Sequence, residues 1–135
     1  MKREILFKGK LCHSKEWIEG NLIITQNGKP YIIPFDVFEP DGHHLIIDSD
    51  NPFWVGENTV SQFINQTDKK GKKIFEGDFD NDGNCVVWCK DCNGFEFAGI
   101  EVETKEQYLK CHRCDGNFFF ADHINDFEIV GNVAD

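Results

Sequence analysis

The chain reads Cys89-Lys-Asp-Cys92-Asn-Gly and, further on, Cys111-His-Arg-Cys114-Asp-Gly. Two Cys-x-x-Cys pairs eighteen residues apart strongly restrict how the intervening chain can run. Cysteines three apart grip one ion only if the backbone bends sharply between them and then turns back. The residues after each pair suit that turn. Glycine accepts the left-handed backbone that a Cβ resists, and Asn or Asp tolerates it nearly as well. Such a turn also aims backbone N–H groups at the sulfurs. Two of these hairpins facing each other form a tetrahedral four-sulfur site with Zn–S distances of about 2.3 Å. The expectation is a structural zinc held by Cys89, Cys92, Cys111 and Cys114. With all four positions taken by sulfur, no water is left on the metal, and no catalysis is assigned to it.

Four cysteines have other possible uses. A redox Cys-x-x-Cys belongs in a βαβ context and in one copy. Disulfides are rare in a reducing cytosol, and the start "MKREILFKGK" lacks the apolar core and cleavage site of a secretory signal. An iron–sulfur cluster can also take four cysteines. His112, between Cys111 and Cys114, is expected to point away as a surface residue, and Cys12 and Cys85 to be small buried hydrophobes. Aromatic strands "FEF" and "FFF" follow the two turns and suit a zinc-ribbon-like hairpin.

The rest of the chain reads as short strands broken by turns. "EILFK", "NLIIT" and "YIIPF" are strand candidates, with Asn27-Gly28 turning between the last two and Pro34 marking an edge or a bulge. "PDGHH" (Pro40 to His44) turns into "LIID", and His43-His44 reads as surface. "NTVSQFINQT" is the candidate short helix, capped by Asn58 or Thr59, with Val60, Phe63 and Ile64 on one face. A turn at Gly71 leads into another strand, and "CVVW" and "FEIVGN" are further strands. The fold class is mainly β: a small barrel-like β domain with one short helix and a zinc-ribbon-like C-terminal module. The division expected is 1–80, completed by a terminal strand at 127–135, with the four-cysteine module at 81–126.

Three stretches carry a family likeness: "MKREILFKGK…EWIEGNLI…IIPFDV", then "TVSQFINQTDKKGKKIFEGD", and last "FEIVGNV". In these the chain resembles the YopX family of phage and prophage proteins. The middle stretch is the most specific, and the paired-cysteine segment lies outside the likeness. The resemblance implies a small, largely β phage protein in the cytoplasm of an infected bacterium. It implies no activity.

The formal net charge of −10 is unevenly spread. Residues 1–78 carry −2 and residues 79–135 carry −8. Four thiolates on one Zn²⁺ add a further −2, so this end repels a phosphate backbone. The expected partner is therefore a host or phage protein with a basic surface. One form this takes is an acidic inhibitor of a host nucleic-acid-binding or defence protein. The alternative is a nucleic-acid-binding accessory protein, using the basic turn Lys69, Lys70, Lys72, Lys73 with Trp17 or Trp54. That turn also suits the acidic end of a second copy, so a homo-oligomer stays open.

"DFDNDGN" opens like a calcium loop, with Asp78, Asp80, Asp82 and Gly83, but its twelfth position is Cys89 where a bidentate Glu is needed. A plain acidic turn is expected there. No phosphate loop, nucleophile elbow or His-Glu-x-x-His occurs, which lowers the odds of an enzyme without excluding one. No apolar run reaches the length of about 18 residues that a membrane span needs.

Overall fold

The computed structural model describes residues 3–35, 53–116 and 123–135. It is mainly β, 47% strand against 7% helical, and includes a curled half-barrel sheet. The expected strand-rich, barrel-like class is therefore correct. The chain forms two compact units, Met1–Gln62 and Phe63–Asp135.

In the first unit, β1 (Phe7–Lys10) pairs antiparallel with β2 (Trp17–Ile24), which pairs in turn with β3 (Pro30–Ile33). The β2–β3 turn is the one Asn27-Gly28 announced. Gly28 sits at φ 82°, and its N–H donates to the Thr25 carbonyl at 2.9 Å. β3 is buried along its whole length and stops before Pro34. Its far side is occupied: the Ile32 N–H donates to the Phe53 carbonyl at 3.1 Å, and the Val55 N–H to that of Pro30 at 3.2 Å. Gly20 permits the close approach of β3, because a Cβ there would collide with the Ile33 carbonyl.

The expected helix at "NTVSQFINQT" is absent. A 3-10 turn at Glu57–Thr59 leads instead into a strand, β4 (Ser61–Thr67). β-branched and aromatic side chains favour the pleated form. The β4 register shifts between Phe63 and Thr67, with Asn65 at φ 63°. Phe63 meets Phe75, while its neighbour Ile64 packs against the cluster that holds Ile74, so the strand has apolar partners for adjacent residues. A strand with apolar contacts for adjacent residues thus imitates one turn of helix. The start of β4 pairs with β1 in the first unit.

In the second unit, the later part of β4 pairs with β5 (Lys73–Phe75) across the Gly71 turn, where φ is 84°. A five-stranded antiparallel sheet follows. Its order is β10 (Gly131–Asn132), β6 (Asp78–Phe79), β7 (Asn84–Cys89), β8 (Gly94–Glu101), β9 (Glu106–Cys111). Alternation along β7 and β8 sorts the core. Val86 and Phe97 face Ile74, Ile124 and Phe127, with the Phe97 and Phe127 rings stacked at 5.1 Å. Cys85 and Ile100 point the other way and pack with Phe79. The sheet runs continuously from β6 into the cysteine hairpins, and the terminal strand closes on β6, with Gly131 opposite Phe79. The expected segments "PDGHH", with His43-His44, "LIID" and "FFF" lie outside the described residues.

Candidate metal centre

Two of the cysteines end strands that flank β8, and two lie in the turns that follow. Cys89 closes β7 and faces Gly94 at the start of β8, while Cys111 closes β9 and faces Ala98. Each second cysteine follows in the turn beyond. The four Sγ atoms all lie within 4.8 Å of one another. Cys89 to Cys114 is 3.5 Å, and Cys92 is 3.6 Å from both Cys111 and Cys114. A disulfide would bring two sulfurs to about 2.05 Å, and no disulfide is formed. Four sulfurs around one tetrahedral ion at about 2.3 Å stand roughly 3.8 Å apart. The four sulfurs lie close enough together that they could hold a single ion, and they belong to the four cysteines singled out in the sequence.

The turns also direct amides at the sulfurs. The Cys114 N–H donates to Cys111 Sγ at 3.3 Å, and in the first hairpin the Cys92 N–H donates to the sulfur of Cys89. That backbone bond is the main reason Cys89 is lowered to about 7. Burial pushes Cys92 up to about 11, and the crowding sulfurs of Cys111, Cys89 and Cys92 push Cys114 up further. Four thiols this close cannot all ionise unaided, because each thiolate raises the cost of the next. A divalent cation at the centre reverses that balance and displaces the protons.

The two turns share a spelling but not a register. In the first the left-handed residue is Asn93, at φ 54°, whereas in the second it is Gly116, at φ 75°. Gly94 has ordinary strand geometry. His112 is half-buried, not exposed as expected, because the second turn lies against β8: the His112 N–H donates to the Phe97 carbonyl at 2.7 Å. Between Cys111 and Cys114, Arg113 reaches the carboxylate of Glu96 at 3.2 Å, and Lys110 reaches Asp115 at 3.8 Å. Val87, Cys89, Ala98, Gln107 and Cys111 border an open groove of about 440 Å³.

The remaining candidates do not join this site. Cys85 is fully buried in the small core, its thiol pushed up to about 11 by burial, with Gln107 Nε2 donating to it at 3.2 Å. Cys12 is only half-buried. The acidic turn holds structural carboxylates. Asp78 accepts the Phe75 N–H and the Asn132 side-chain amide, each at 2.8 Å, and Asp80 accepts the N–H groups of Asp82 and Asn84. In the basic turn, Lys69 and Lys70 approach Glu128 at 3.9 and 3.7 Å, and Lys73 lies over the Phe63 ring. Trp17 is covered by Lys8 at 4.3 Å and by Lys10, and Trp54 by Lys29.

Two carboxylates with structural consequence were not singled out in the sequence. Asp68 is buried and accepts three backbone N–H groups. Glu96 is buried beneath the second cysteine turn. Asp68 had a legible signal, since an Asp three residues before a turn glycine is a common turn clasp. Glu96 sits among aromatic strand residues with nothing local to mark it.

No helix among the described residues is long and apolar enough to cross a membrane. Comparison of the chain with protein families, curated proteins and solved structures gives no match.

Proposed function

We propose that this chain is a zinc-stabilised binding protein that presents an acidic hairpin to a basic surface on another protein. Zinc is the metal best suited to the four cysteines, since it takes four thiolates tetrahedrally and has no redox chemistry to control. The ion ties the last residue of β7, Cys89, to the last residue of β9, Cys111, on either side of β8.

The observation that carries the binding reading is at that turn. Glu101 and Glu106 stand directly opposite each other in register, with Glu103 between them, and all three are exposed. Like charges directly opposite on a sheet oppose folding. A fold that merely needed a soluble turn has cheaper choices, whereas a surface that must meet Lys and Arg gains from this one. In keeping with the likeness to the YopX family, the setting is a phage protein in the bacterial cytoplasm, and the partner a host or phage protein whose basic surface otherwise meets nucleic acid.

The alternative, a nucleic-acid-binding accessory protein, has less in its favour. Its lysines at positions 69, 70 and 73 and its rings at Trp17 and Trp54 are engaged within the chain. The test is native mass spectrometry of tagged protein recovered from infected cells, beside a variant with Glu101, Glu103 and Glu106 all changed to Gln. One zinc per chain in both, with a protein partner held only by the wild type, is the expected result. A partner retained by the neutral variant overturns the acidic-surface reading. Salt-sensitive binding of a short single-stranded oligonucleotide by the lone protein would favour the alternative.

A further inference from the structure

We infer that Glu96 and Arg113 are positioning residues that set the second cysteine turn for its metal. This rests on the four-cysteine metal reading and deepens it. Arg113 is one of only two residues between Cys111 and Cys114, and its Nη1 stands 3.2 Å from Glu96 Oε1. The neighbouring His112 N–H donates to the Phe97 carbonyl at 2.7 Å. Consecutive residues of the turn are thus fastened to consecutive residues of β8, one through the backbone and one through a side chain.

β8 also fixes the first turn. Its first residue, Gly94, faces Cys89, and Glu96, two positions on, faces Val87. One strand therefore sets both halves of the sulfur tetrahedron. The Glu96–Arg113 pair is a side-chain link between that strand and the half of the site that comes from β9.

The pair is poorly made for stability alone. The Glu96 side chain is 8% exposed and that of Arg113 is 50% exposed. The second oxygen, Oε2, is buried with no hydrogen-bond partner among the described residues. A buried, half-satisfied carboxylate adds little to folding, and an apolar residue of similar volume would serve as well or better. What it does supply is a fixed anchor for a planar guanidinium, and so for the turn carrying Cys111 and Cys114. Outer partners of this kind typically change metal affinity by about 10–100-fold.

The experiment is Co²⁺ binding, followed by thiolate charge-transfer absorption and by competition with Zn²⁺ and a chelator. It uses full-length wild type, Glu96→Gln, Arg113→Gln and Arg113→Lys. The expected result is a four-thiolate spectrum in every protein, with affinity falling about tenfold or more in Glu96→Gln and Arg113→Gln and partly recovering in Arg113→Lys. Circular dichroism at saturating metal should stay that of the wild type. Should Arg113→Gln fail to fold because it strands the Glu96 charge, Glu96→Gln, which carries no such charge, decides alone. Affinities within twofold of wild type in the folded variants overturn the inference and leave the metal reading intact. A wild type with no thiolate band overturns both.

Discussion

Asp68, in the turn between β4 and β5, accepts the backbone N–H of Ile129 on Oδ2 at 3.0 Å, across a sequence separation of 61 residues. Its other oxygen accepts the N–H groups of Lys70 and Lys72, both at 2.9 Å. A single carboxylate thereby shapes a tight turn and pins the chain that follows Phe127, whose ring fills the main core.

Replacing Asp68 with Ala removes the acceptor for three N–H groups, and the expected loss is about 3 kcal/mol of unfolding free energy. Burial would raise the pKa of Asp68, but the bonds from Ile129, Lys72 and Lys70 outweigh it and hold the carboxyl below its ordinary 3.8. Its stabilising contribution is therefore complete above that value and is lost as pH falls through the lower folded-state value. Urea titrations should show a large gap between wild type and Asp68→Asn at neutral pH, narrowing as the pH drops below about 4. A gap that is equal at both ends would remove the carboxylate's charge from the explanation.

The acidic hairpin makes the opposite kind of prediction. Glu106→Lys turns a like-charged cross-strand pair with Glu101 into an attractive one, so the variant should be more stable than wild type by roughly 0.5 kcal/mol. Because both side chains are exposed, the gain should shrink with added salt. The same change should abolish capture of a basic partner. Stability and binding moving in opposite directions is the signature to look for. A variant that loses both would make these glutamates part of the fold.

The two cysteine turns show how much of the site could be read from the chain. The cluster was legible because close cysteine pairs are a typical spacing for a shared ion, and Cys-x-x-Cys followed by Asn-Gly or Asp-Gly spells a tight turn. The register within the turn was not, since Asn93 takes the left-handed backbone in one and Gly116 in the other. Gly94→Ala should therefore be nearly neutral, for it has open space around it and no unusual φ. Gly116→Ala should cost about 1 kcal/mol, because a Cβ opposes its conformation and not because of crowding. Denaturation of the zinc-loaded variants compares them directly, and equal losses would contradict the assigned backbone.

The fold was legible where the cue was local and lost where it was not. Asn27-Gly28 and Gly71 each mark a turn that forms. The stretch around Phe63 and Ile64 looked helical because both adjacent residues have apolar partners, Phe75 for one and the Ile74 cluster for the other, and those partners come from elsewhere in the chain. Asp68 to Ile129, Glu96 to Arg113 and Glu101 to Glu106 are likewise pairings between strands or turns, and no single window of sequence contains their meaning.

In the first unit the tightest point is Gly20. A Cβ there would run into the Ile33 carbonyl and come to 2.9 Å from the Pro34 Cα, both backbone atoms that cannot swing aside. Gly20→Ala should cost about 3 kcal/mol, at the upper end for overpacking, by forcing β2 from β3. Gly28→Ala, which meets nothing within 4 Å, should cost less despite its positive φ. Thermal melts of the two variants would rank them, and the reverse order would mean that β3 can shift to make room.

Metal removal should be felt unevenly along the chain. Without an ion, burial holds Cys92 near 11 and crowding keeps Cys114 protonated as well. Four neutral thiols then replace a clip whose zinc can contribute on the order of 10 kcal/mol to folding. The ends of β7, β8 and β9 depend on that clip most directly, because Cys89 and Cys111 are the last residues of their strands. Phe97 and Phe127, stacked in the apolar core, do not. Hydrogen exchange after chelation, or in Cys92→Ser, should show amide protection lost first across residues 89–94 and 106–114. Protection should fall less around Val86 and Phe97 and hold along β1 to β3, which belong to the other unit. Protection unchanged at residues 106–114 would mean that strand pairing alone holds β9, and the zinc would then have to be explained by something other than the fold.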